Sequence, residues 1–137
     1  MFAKVFAVAT LALAASAATI PAEKRSISVT GTHTGQATYY ATGLGACGIT
    51  NTDTDYIAAV SHTLFDNYPG YTSGNPNNNP ICNKKVTANY NGKKVTVAIT
   101  DRCEGCATWD LDFSPSAFDK LADESLGRLS GMTWKFN

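Results

Sequence analysis

The segment KKVTANYNGKKVTVAIT, Lys84 to Thr100, limits the fold more than any other part of the chain. Asn91-Gly92 sits between two β-rich arms. A two-residue hairpin loop of type I′ needs positive φ at both positions, and Asn-Gly supplies it with the least strain. In the second arm Val95, Val97 and Ile99 fall on one face, while Thr96, Ala98 and Thr100 fall on the other. Further β-type runs are GQATYYA, YIAAVSH and a closing MTWKF. One helix is signalled, with Ser114 as its cap, Pro115 in its first turn and Ala117, Phe118 and Leu121 as its apolar stripe. Short, closely spaced strands with one helix predict a mainly β domain, either a small barrel or a sandwich.

The start of the chain reads as a leader rather than as fold. MFAKVFAVATLALAASAA has one lysine, an apolar run and then small residues, so residues 1–17 are expected to be a signal peptide. The apolar run is too short for a transmembrane helix. Residues 18–34 are expected to be a propeptide or flexible lead-in, with Lys24-Arg25 as a dibasic trimming site, and residues 35–137 the folded domain. The 137-residue chain has a formal net charge of zero. Loss of residues 1–25 would leave about −2, with no basic stripe. Nucleic acid and anionic membranes are therefore poor partners. A secreted monomer is expected.

Four cysteines remain in the mature chain: Cys47, Cys82, Cys103 and Cys106. In a secreted domain they predict two disulfides, with three possible connectivities. Cys103-Glu-Gly-Cys106 has the spacing of half a zinc site or of a redox motif. A second such pair is missing, however, and His33 and His62 are isolated. No metal and no cofactor is expected.

The chemistry-bearing stretch is TDRCEGCATWDLDFSP, Thr100 to Pro115. Asp101 and Asp112 are candidates for a carboxylate pair. Each also has a structural reading, Asp101 holding a turn beside Arg102 and Asp112 supporting the helix start. Tyr39, Tyr40, Tyr68, Tyr71 and Trp109 sit in or beside polar segments, where aromatic rings could stack on sugars. Tyr68 and Tyr71 belong to DNYPGYTSGNPNNNP, which is long for a connection in a small domain. It reads either as a solvated excursion or as a rim loop. Trp134 reads as core. Ser61 precedes His62, but neighbours in a strand face opposite sides, so a nucleophilic pair gains no support.

Taken in order, GQATYYATGLGACGITNTDTDYIAAVSHTLFD, NPICNKKV, VAITDRC and LDFSPSAF resemble the first domain of expansins. The likeness is strongest to loosenins, the single-domain expansin-like proteins of wood-decay fungi. It implies a six-stranded double-psi β-barrel with one or two short helices. It also implies a Cys47–Cys82 bridge, which leaves Cys103 with Cys106. On this resemblance Asp101 is the key groove acid. Thr38, Tyr39, Tyr40, His62, Tyr68, Tyr71, Trp109 and Asp112 would contact the polysaccharide. The implied activity is loosening of cell-wall cellulose, chitin or related glucans without hydrolysis. Family-45 glycoside hydrolases share this barrel but carry a base aspartate after the first aromatic strand, where TYYATG has none. AAVSHTL also resembles a segment of bacterial rare lipoprotein A, which keeps a lytic transglycosylase using Asp101 with His62 as an alternative. Related small barrels that block cysteine proteases supply another.

Overall fold

The Asn91-Gly92 hairpin forms as its chemistry requires. In the computed structural model, which describes residues 27–72 and 74–137, Asn91 and Gly92 have φ of 47° and 80°. They join strand β3 (Lys85–Tyr90) to strand β4 (Lys93–Cys103), with Tyr90 opposite Lys93. The other strands are β1 (His33–Tyr39), β2 (Ile57–Ser61), β5 (Leu111–Phe113) and β6 (Leu129–Phe136). They close into a barrel in the order β1-β5-β2-β4-β3-β6. Two of its pairings are parallel, β1 with β5 and β2 with β4, and the other four are antiparallel. This is the six-stranded double-psi β-barrel that the sequence resembles. Closure leaves no unpaired sheet edge, which a small mainly β domain otherwise has to protect.

The interior takes residues from every strand, and all five residues of β2 are buried. Val86, Ala88, Val97, Ile99, Leu111, Phe113, Leu129, Met132 and Trp134 are buried. Trp134 is fully enclosed, as its sequence context suggests, and its indole Nε1 donates to Trp109 O at 2.8 Å. Two disulfides, Cys47–Cys82 and Cys103–Cys106, staple the loops.

Several local expectations need correction. Strand β1 begins at His33, which pairs with Trp134, so the barrel starts two residues inside the stretch read as lead-in. The signal peptide and Lys24-Arg25 lie outside the described residues. YIAAVSH is a strand only as far as Ser61, where the Ser61 hydroxyl accepts from Leu64 N and starts helix α1 (His62–Asp66). Helix α2 is a single turn, Pro115–Phe118, and the Ser114 side chain does not cap it. That hydroxyl donates to Asp55 O and accepts from Ile57 N, tying the helix entry to the start of β2. Phe118 and Leu121 are still buried, so the apolar stripe was read correctly even though the helix is short.

Phe113 is fully buried on the shortest strand. Phe113→Ala should therefore lower unfolding stability by about 3–5 kcal/mol through lost burial and a residual cavity. Urea denaturation would read this, and a loss below about 1 kcal/mol would contradict the described core.

Candidate functional site

Asp101 should point into the barrel. Val95, Val97 and Ile99 face the core, and strict alternation puts residue 101 with them. A bulge prevents this. Ala58 pairs with Ile99, but the next residue of β2, Ala59, pairs with Asp101, so Thr100 is the extra residue. A bulge re-aims every side chain beyond it. Thr100, expected on the outer face, is instead buried at 2% exposure, and Asp101 turns outward.

This re-aiming assembles a row across four adjacent strands. Thr38 of β1 pairs with Asp112 of β5, Asp112 pairs with Ala59 of β2, and Ala59 pairs with Asp101 of β4. Residues directly opposite in a sheet share a face. The small Ala59 methyl therefore separates the two carboxylates. Tyr40, two residues after Thr38, reaches the same face, and its hydroxyl donates to Asp101 Oδ2 at 3.0 Å. The Thr38 hydroxyl donates to Asp112 Oδ1 at 2.8 Å. Burial raises the Asp112 carboxyl above its ordinary pKa, and the Asp101 charge adds to this against the opposing pull of Thr38 and Arg128. Burial first, then the Asp101 charge, pushes the Tyr40 phenol above its usual range, so it stays a donor.

The same carboxylate organises the neighbouring loop. Asp101 Oδ1 accepts from Ala46 N and Arg102 N, each at 2.8 Å. The bulged Thr100 offers its carbonyl to Cys47 N at 3.1 Å. Gly45 makes this approach possible, because a Cβ there would lie 2.5 Å from Thr100 O. Gly45 N donates to Ile49 O, Asn51 N to Gly43 O, and Thr42 N to Asp53 Oδ1. The Cys47–Cys82 bridge closes the far side. Leu44 sits at the centre of this fixed loop and is 75% exposed. The residue reading did not single it out, although an apolar residue between two glycines in GLGACG was the available signal.

The remaining expected contact residues do not join the row. Tyr39 faces the other way from Thr38 and Tyr40, packs on Phe118 with ring centroids 4.9 Å apart, and donates to Glu124 O. Tyr68 packs against Phe136 at 5.8 Å, and burial raises its phenol pKa. Tyr71 meets Phe65 edge-on at 5.9 Å. Trp109 stacks on His33 at 3.6 Å. These rings hold loops to the barrel. The His62 imidazole lies 3.4 Å from the Thr63 hydroxyl through Nε2, and its Nδ1 is buried without a partner among the described residues. Arg102 grips Asp66 with two bonds, Nε to Oδ1 at 2.9 Å and Nη2 to Oδ2 at 2.7 Å, which fastens α1 to β4. Among the described residues, no group of three His, Cys, Asp or Glu side chains is placed to hold a metal.

Residues 32–131 match the family profile described as lytic transglycolase, whose short name denotes the double-psi β-barrel. The chain belongs to this family. A papain inhibitor of Streptomyces mobaraensis is 36% identical over 137 aligned residues, covering 96% of this chain and 91% of the inhibitor. The solved Streptomyces papain inhibitor superposes with a TM-score of 0.70 at 35% identity, covering 79% of this chain and 96% of that one. An allergen of Aspergillus fumigatus is 37% identical over 75% of this chain, which spans 36% of the allergen. A mutant expansin of Clavibacter michiganensis, solved in complex with cellohexaose, has a TM-score of 0.63 at 23% identity over half of its length, a likeness of fold alone. The chain thus shares its family with a papain inhibitor and its barrel fold with an expansin. The expectation of a loosenin in particular reduces to this broader membership.

The Asp112 shift makes a pH prediction. A carboxyl whose folded pKa is raised keeps a proton that the unfolded chain has already lost. Stability therefore falls as pH climbs from the unfolded value, near 4, to the raised one. Asp112→Asn removes that decline. Its stability relative to the parent should rise as the pH climbs above about 4. A pH-independent difference in urea unfolding over that range would contradict the buried, acid-flanked placement of Asp112.

Proposed function

We propose that this protein is a secreted inhibitor of papain-type cysteine proteases. One observation carries the reading: the likeness to a papain inhibitor runs at 36% identity through nearly the full length of both proteins. The physical character of the fold supports it. A protein inhibitor gains affinity by presenting a surface that loses little freedom on docking. Here a closed barrel carries a loop fixed by backbone hydrogen bonds, by Asp101 and by a disulfide. The leader-like start and the two disulfides support secretion.

A second reading rests on the outward row of Thr38, Asp112, Ala59, Asp101 and Tyr40. Two carboxylates, a hydroxyl and a phenol on one face suit hydrogen bonding to sugar hydroxyls. In that reading the partner is an insoluble or oligomeric polysaccharide, and the action is loosening without hydrolysis. Tyr40 is the aromatic that touches the acids, so stacking rests on fewer rings than the sequence suggested. A lytic transglycosylase would need Asp101 as its acid. That carboxylate already accepts three hydrogen bonds from the protein, and no bond joins it to His62 among the described residues.

One assay set separates these readings. Purified protein is titrated against papain and, in parallel, incubated with insoluble cellulose and chitin while soluble sugar is measured. The proposal expects stoichiometric, reversible inhibition of papain and no sugar release. Absence of inhibition together with depletion onto cellulose or chitin would replace it with the second reading. Sugar release abolished by Asp101→Asn would replace it with an enzyme.

A further inference from the structure

We propose that the loop from Thr42 to Cys47 is the protease-contacting element, with Leu44 as the side chain that enters an apolar pocket of the substrate cleft. This rests on the inhibitor reading and names the surface that would carry it. Among the described residues, four large apolar side chains are exposed: Tyr39 at 37%, Tyr56 at 44%, Leu126 at 59% and Leu44 at 75%. Leu44 is the most exposed, and it alone stands between two glycines. A Cβ added at Gly43 would meet nothing within 4 Å. A partner approaching here therefore finds one apolar side chain with bare backbone on its Gly43 side, while Gly45 packs against Thr100. Substrate clefts of proteases read that pattern: an extended backbone is held by hydrogen bonds and a side chain by a pocket.

Exposure of a leucine is unremarkable by itself. The backbone beneath it is the second observation. Thr42 N is held by Asp53, Gly43 O by Asn51 N, Gly45 N by Ile49 O, Ala46 N by Asp101 and Cys47 N by Thr100 O. Leu44 itself makes an isolated antiparallel bridge with Thr50. Both sides of the loop are thus anchored to the barrel or to each other while the Leu44 side chain is left free. A solvent-facing apolar side chain brings no gain to the isolated protein, and a pre-ordered backbone lowers the cost of docking it. Leu126 lacks this arrangement. It lies in a short 3-10 turn, Glu124–Leu126, beside Asp123 and Glu124, an acidic setting that differs from the neutral tip at Leu44.

Leu44→Asp places a charge at the tip without touching the core, and Leu44→Ala only removes the side chain. Leu126→Asp makes the same change at the other exposed leucine. Each variant is checked for an unchanged denaturation midpoint and titrated against papain by residual activity. The expected result is a rise in the inhibition constant of about tenfold or more for both Leu44 variants, larger for Leu44→Asp, with Leu126→Asp close to the parent. If the parent inhibits and the Leu44 variants inhibit equally well, the loop assignment is wrong and the inhibitor reading stands. If Leu126→Asp loses inhibition as Leu44→Asp does, the contact is not confined to this loop and the assignment is also wrong. If the parent fails to inhibit papain, the inhibitor reading and this inference fall together.

Discussion

The bulge at Thr100 and the Asp101 carboxylate behind it organise everything on the functional face. One extra residue in β4 turns Asp101 from the core to the outside. It also frees the Thr100 carbonyl, which the loop takes up through Cys47 N. A carboxylate facing outward could remain solvated. Instead it accepts from Ala46 N, Arg102 N and the Tyr40 hydroxyl, and so joins β4, the end of β1 and the 42–47 loop. Charge-assisted bonds of this kind are stronger than neutral ones and cost more to break when partly buried. The loop's shape is therefore set by the barrel together with the loop's own glycine and internal hydrogen bonds.

The structure shows the structural one of the two roles that the sequence presented for Asp101, and leaves the other as a candidate. As an outward acid beside Asp112, Tyr40 and Thr38 it can meet a polar ligand. As an acceptor for Ala46 N it is a structural tie. The two roles sit on adjoining surfaces, the strand row and the loop that borders it. That one barrel fold is found in both a papain inhibitor and an expansin is understandable in these terms. The scaffold fixes a rigid rim and an acidic row together. Changes in the rim residues or in the row residues can then select different partners without altering the barrel.

The parts of the fold that were legible in the sequence are those with local causes. Asn91-Gly92 specifies its turn by backbone preference alone, and the alternation through Val95, Val97 and Ile99 follows directly. Trp134 was recognisable as core. The Cys47–Cys82 pairing came through the family resemblance, since spacing alone left three connectivities open. Helix α1 escaped notice because five residues show no helical period. Strand β5 escaped because three residues show no alternation. The bulge was hidden for a stronger reason. Alternation alone puts Asp101 on the core face, where a charge is costly, but whether a bulge or the end of the strand relieves this is decided only by pairing with the distant strand β2. The packing partners of the aromatic residues were hidden too. Tyr39, Tyr68 and Trp109 find rings contributed by Phe118, Phe136 and His33, all remote in sequence, while Tyr71 meets Phe65 six residues away.

The central claim is that the barrel, through Asp101 and Thr100, holds the exposed loop in one conformation. Amide hydrogen exchange of the native protein measures this directly, because a hydrogen-bonded, pre-ordered loop exchanges only by opening. The account predicts that the Ala46 and Cys47 amides are protected to a degree approaching the neighbouring residues of β4, and that Asp101→Asn selectively accelerates exchange at Ala46. Free exchange at Ala46 and Cys47 while β4 remains protected would contradict it.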